Sequence, residues 1–141
     1  MLTQQVDVEW MFPSHPRSAG RARVRLLRQA FSWRIPGETT EIAMLLLGEL
    51  VTNACRHARA PRDRLIGVRL VLDPGELFRV EVSDANPDLP EPRQAGPEDE
   101  TGRGLELVTA LSAAWGAHAR GAGRIGKTVW FELKPGTGPG I

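Results

Sequence analysis

A single cysteine, Cys55, in 141 residues excludes an internal disulfide and is compatible with a reducing compartment. An excess of one charge is missing too. Eighteen Lys and Arg stand against 17 Asp and Glu, for a net charge of +1 and a pI of about 8.0. No broad field therefore draws the chain to nucleic acid or to a membrane surface. No apolar run is long enough to span a bilayer: the longest, IAMLLLGELVTNACRHA, is broken by Gly48, Glu49, Thr52 and Asn53. The opening MLTQQVDVEW lacks a basic stretch followed by an apolar one, so no secretory signal is expected and the expected location is the cytoplasm. Lysine is scarce as well, with only Lys127 and Lys134, a bias that carries no functional weight.

What is present is 41% hydrophobic and 25% charged residues, which fits one globular domain with a real core. Residues 6–12 alternate and read as a strand. Val24, Leu27, Ala30 and Phe31 recur at helical spacing over 17–33. Pro36 and Gly37 punctuate, and a second helix runs over 38–57 with an acidic start that suits its dipole. Residues 65–72 and 77–84 form a hairpin of two strands about the turn DPGE. A long stretch rich in Pro, Gly and charge follows, of the kind that is functional or disordered in a small domain. A short helix over 104–111 and strands over 113–120 and 128–133 complete the chain. The domain is expected to cover 1–134, with a flexible tail at 135–141. The order β-α-α-β-β-loop-α-β-β predicts an antiparallel or mixed sheet with helices on one face.

Three places break the rule that a buried face is apolar. On the second helix, Glu49 and Asn53 are one turn apart on one face, and His57 continues their stripe. Taken alone, they read as a helix end turned out to solvent. On the second hairpin strand, Phe78, Val80 and Val82 set a core-facing row and Asp84 is its next member. That carboxylate is either a turn residue before Asn86-Pro87 or an acceptor on a pocket floor, suited to an exocyclic amine such as that of adenine. In TGRGLELV, Gly102 and Gly104 flank Arg103 at a helix start, where amides and the helix dipole favour an anion. Alone, such a pair of glycines is most often a tight turn.

In this order, ELVTNACRHA, VSDANP, TGRGLELV and GKTVWFEL resemble the nucleotide-binding boxes of the histidine-kinase-like ATPases, the GHKL superfamily. The resemblance is to its small bacterial branch of anti-sigma-factor serine/threonine kinases and related stand-alone regulators. It implies an α+β fold: a Bergerat-type α/β sandwich with a mixed, mainly antiparallel sheet and helices on one face. It also implies an ATP site. Asn53 would hold Mg²⁺, which bridges the phosphates. Glu49 would be the general base, with Arg56 and His57 near the phosphates or ribose. Asp84 would accept from the adenine amine, supported by Thr128. An ATP lid would start at Asn86 and reach about residue 103, and Gly102, Arg103, Gly104 and Leu105 would hold the phosphates.

The chain departs from the family where D-x-G-x-G is common: it reads Asp84-Ala85-Asn86-Pro87-Asp88, without the flexible glycines. It also has no room for a phosphoacceptor-histidine domain, so a two-component sensor kinase is not expected. The implied activity is that of a protein kinase that sequesters a sigma factor and phosphorylates a STAS-type anti-sigma antagonist on Ser or Thr, using ATP and Mg²⁺. The alternative is an ATP-dependent binding module without significant phosphotransfer. A homodimer is a further expectation, with residues 6–12 as an apolar edge strand that needs cover.

Overall fold

The computed structural model describes residues 4–56, 65–75, 77–85, 100–121 and 125–135, except for the side chains of 100–104. Its elements are β1 (Val6–Pro13), α1 (Arg17–Ser32), α2 (Gly37–Arg56), β2 (Leu65–Leu72), β3 (Phe78–Asp84), α3 (Glu100–Leu111), β4 (Ala114–Ala119) and β5 (Lys127–Leu133). The strands form one sheet in the order β1-β2-β3-β5-β4, and every pairing among the described residues is antiparallel. The α+β sandwich expected from the sequence is the fold found.

Alternation explains both faces of the sheet. Phe78, Val80 and Val82 of β3 and Val129, Phe131 and Leu133 of β5 are buried on the helix side. The residues between them point the other way and build a charged outer face. There Arg69 Nε lies 3.0 Å from Asp7 Oδ2, Arg79 Nε 2.7 Å from Glu81 Oε2, and Arg79 Nη1 3.2 Å from Glu132 Oε2. The Arg79 guanidinium also stacks 4.0 Å above the Trp130 ring. One apolar and one solvated face is the ordinary state of an antiparallel sheet. Trp130 thus belongs to the outer face of the sheet.

α2 is the central helix of the apolar layer. Ala43, Leu46, Leu47, Leu50, Val51 and Ala54 are buried against the sheet and the neighbouring helices, and each large side chain among them contributes about 1.5–3 kcal/mol. α1 buries a narrower and different face than its apolar residues imply. Ala19, Ala22, Leu26 and Ala30 are inside, whereas Val24, Leu27 and Phe31 are exposed, Phe31 at 84%. Small residues inside let α1 approach α2 closely. A Cβ on Gly48 of α2 would meet the Arg23 side chain of α1.

The break between α1 and α2 lies earlier than Pro36-Gly37. Arg34 takes a left-handed backbone, φ 59°. Its N–H donates to the Phe31 carbonyl at 3.1 Å, and the Ile35 N–H to the Ala30 carbonyl at 2.9 Å. These are the two bonds of a Schellman cap, and Gly37 is already the first residue of α2. A residue with a Cβ is strained in that conformation. Arg34→Gly is therefore expected to raise stability by about 0.5–1 kcal/mol after the added freedom of the unfolded chain is subtracted, as read by urea denaturation.

β1 is an edge strand, as expected. Its run Trp10, Met11, Phe12 is only partly covered: Phe12 is buried, Trp10 packs on the core, and Met11 is 51% exposed. The expected lid at 86–103 falls almost wholly outside the described residues, as does the tail beyond residue 135.

Candidate functional site

The polar stripe on α2 begins where its apolar stripe ends. Glu49 and Asn53 are both half-buried, one turn apart, between the buried Leu46–Leu47 and Ala54 positions. Among the described residues, neither side chain has a hydrogen-bond or ion-pair partner. The stripe thus runs along the margin of the core, not out into solvent. Arg56 lies exposed in the last turn, where a cation suits the helix C-terminus. His57 and Asn86 lie outside the described residues.

Asp84 ends the core-facing row of β3 and is buried, 4% exposed. Its cross-strand neighbour is Lys127, the first residue of β5. The Lys127 ammonium donates to both carboxylate oxygens, at 3.1 Å to Oδ1 and 2.9 Å to Oδ2. The expectation that Thr128 supports Asp84 is corrected by this register. Thr128 pairs with Ser83, one position on, so it lies on the opposite face of the sheet, 2.7 Å from Ser83 Oγ. Lys127 was not among the expected site residues, although its parity with Val129 and Phe131 marks the helix-facing row.

The Lys127 register is pinned by the residue before it. Gly126 has φ +118°, and a Cβ there would drive into the Asp84 carbonyl oxygen. The Arg120 N–H donates to the Gly126 carbonyl at 3.0 Å, closing the turn from β4 into β5 against the end of β3. Gly126→Ala combines a forbidden backbone angle with a backbone clash. It is expected to cost about 3 kcal/mol or more in chemical denaturation.

Cys55 ties the end of α2 to the β1–α1 turn, with Sγ donating to the His15 carbonyl at 3.3 Å. Burial raises its pKa above the ordinary 9.0, and the nearby Asp84 carboxylate adds to the rise, while bonds to His15 and Ser14 oppose it. A raised thiol pKa means the folded protein holds this proton more tightly than the unfolded chain. The stability so gained is present below the ordinary thiol pKa and is lost as pH rises above it. Iodoacetamide at pH 8 is expected to label Cys55 more slowly in the folded protein than in urea, followed by mass spectrometry.

α3 begins four residues before the expected start at Gly104, so Gly102 and Arg103 lie in its first turn and Gly104 directly after it, not in a preceding loop. Unpaired amide N–H groups belong to that first turn in any α-helix, which keeps the segment suited to an anion. Leu105 is buried, 2% exposed, and with Val108 anchors α3 on α2. Its side chain belongs to the core and fixes the helix.

α2, which carries Glu49 and Asn53, packs on β3, which ends at Asp84, and on β5, which starts at Lys127. Among the described residues no group of three or more His, Cys, Asp or Glu side chains is arranged to hold a metal ion.

A family model described as histidine kinase-like ATPase domain matches residues 12–132. An uncharacterized protein of Streptomyces coelicolor, SCO4941, is 45% identical over 56 residues, 38% of this chain and 53% of that protein. The chain thus matches about half the length of this curated relative. Among solved structures, the RsbU and RsbW domains of Rv1364c from Mycobacterium tuberculosis superpose with a TM-score of 0.71 at 18% identity, over 92% of this chain and 32% of that one. The histidine kinase domain of a blue-light activated histidine kinase from Erythrobacter litoralis gives a TM-score of 0.54 at 23% identity, over 88% and 62% of the two chains.

Proposed function

The chain belongs to the histidine kinase-like ATPase domain family, and on that premise we propose that it binds Mg-ATP at the junction of α2, β3, β5 and α3. The observation that carries the reading is the pair Glu49 and Asn53, half-buried, one turn apart and unpartnered among the described residues. The Asn53 carboxamide oxygen is a hard, neutral ligand of the kind Mg²⁺ takes singly, its other positions being filled by phosphate and water. The residues present fit the ion. When bound, it would offset charge on the β- and γ-phosphates.

In this reading each group has one task. Asn53 would hold the Mg²⁺ that accompanies the triphosphate. Glu49, one turn away, takes the proton of an attacking hydroxyl. Asp84 accepts from the exocyclic amine of the base. The start of α3, with Gly102, Arg103 and Gly104, faces the phosphates. Arg56 and His57 flank the phosphates or ribose. A lid that begins at Asn86 and ends where α3 begins at Glu100 closes the site.

The activity proposed is phosphorylation of a protein Ser or Thr, with the acceptor a STAS-type anti-sigma antagonist and the sequestered partner a sigma factor. The sequence resemblance to anti-sigma-factor kinases supports this partner class, and α1 supports a protein-binding role. Its exposed Val24, Leu27 and Phe31 are interleaved with exposed Arg21, Arg25 and Arg28, an apolar surface of the kind a partner covers.

The test is calorimetric titration of wild type and Asn53→Ala with ATP, each with and without Mg²⁺. Wild type is expected to bind more tightly with Mg²⁺, and Asn53→Ala to bind with no gain from it. Equal Mg²⁺ dependence in the two proteins removes Asn53 from the metal site.

A further inference from the structure

Resting on the nucleotide-site reading above, we propose that Lys127 reads the nucleobase directly, donating to its ring nitrogen N1 while Asp84 accepts from the adjacent amine. The pair stands at one end of the helix-facing side of the sheet, where the apolar row of β3 and β5 stops. Acceptor and donor sit side by side there, 2.9 Å apart at closest, with both side chains buried. The Watson–Crick edge of adenine has the complementary order, an N–H donor at N6 beside an acceptor at N1. Guanine and hypoxanthine present the reverse in the same pose, an acceptor at O6 and a donor at N1. That arrangement sets O6 against the Asp84 carboxylate and N1–H against the Lys127 ammonium. One ion pair thus accepts adenine and opposes the two other purines.

The register is built for this position. Gly126 allows the chain to close on the Asp84 carbonyl, which brings Lys127 and no other β5 residue opposite Asp84 on the helix side. A lysine ammonium carries three rotatable donors on a flexible stem. It can keep a bond to Asp84 while giving another to a base nitrogen, so Asp84 is not lost to the ligand when the two meet. Reading of a base by its Watson–Crick edge is a general means of selecting it.

A structural ion pair and a base-reading one differ in a single readout. ATP and 1-deaza-ATP are titrated into wild type and Lys127→Met. 1-Deaza-ATP keeps the amine and replaces the N1 acceptor with C–H. Wild type is expected to favour ATP by about 10- to 100-fold, the worth of a hydrogen bond from a charged donor. Lys127→Met is expected to bind the two nucleotides equally. The same ATP preference in both proteins overturns the proposal and leaves Lys127 as a stitch between strands. If Lys127→Met does not fold, judged by thermal melting, Lys127→Thr is used for the same ratio. If wild type binds ATP and 1-deaza-ATP alike, base reading by Lys127 fails while the nucleotide site stands. Binding of neither overturns the site itself and this inference with it.

Discussion

Glu49→Gln is expected to slow loss of the γ-phosphate from Mg-ATP by about 10²- to 10⁴-fold, the usual contribution of a general base, with ATP affinity changed by less than about twofold. The substitution keeps the size of a half-buried side chain and removes only its ability to take a proton. The readout is release or transfer of labelled phosphate under single-turnover conditions, beside a binding titration of the same protein. A fall in rate with binding intact places Glu49 in the chemical step. An unchanged rate strips it of that role. The remaining description is then a module that uses ATP to order a protein-binding surface.

The second large effect is expected at Asp84. Asp84→Leu leaves the Lys127 ammonium buried without its carboxylate. Both side chains are withdrawn from water, at 6% and 10% exposure. Removing one member of such a pair costs about 3–5 kcal/mol, because the other charge stays behind. ATP binding is expected to disappear in the same variant, but a partly unfolded protein would lose it too. The double variant Asp84→Leu/Lys127→Met separates the causes. An apolar replacement of the whole pair is close to neutral for stability, so urea denaturation should return near to wild type while ATP binding stays absent. A double variant that folds and binds ATP with wild-type affinity would falsify the role given to Asp84.

Much of the fold was legible because alternation and helical period are local signals. The limits of β2 and the polar break on α2 at Glu49 and Asn53 can be read from neighbouring residues alone. Asp84 was legible for the same reason, as the next step of the row Phe78, Val80, Val82. What stayed hidden depends on contacts between distant segments. Lys127 is opposite Asp84 because β5 pairs with β3 in one register, and a slip of one residue would have put Thr128 there instead. The resemblance pointed to Thr128, and only the ladder distinguishes the two. The exposure of Val24, Leu27 and Phe31 was hidden likewise. Period alone gives a helix without saying which stripe faces inward, and on α1 the small residues Ala19, Ala22 and Ala30 won that place because α2 lies close. The left-handed Arg34 defeated the usual preference for glycine, so Pro36-Gly37 looked like the break when it was already the start of α2.

Calorimetric titration of the wild-type chain with ATP in the presence of Mg²⁺ tests the nucleotide site most directly. Saturable binding at one site per chain, tighter than in chelator, is the expected result. No heat of binding, with or without Mg²⁺, from a chain shown to be folded by circular dichroism would contradict it.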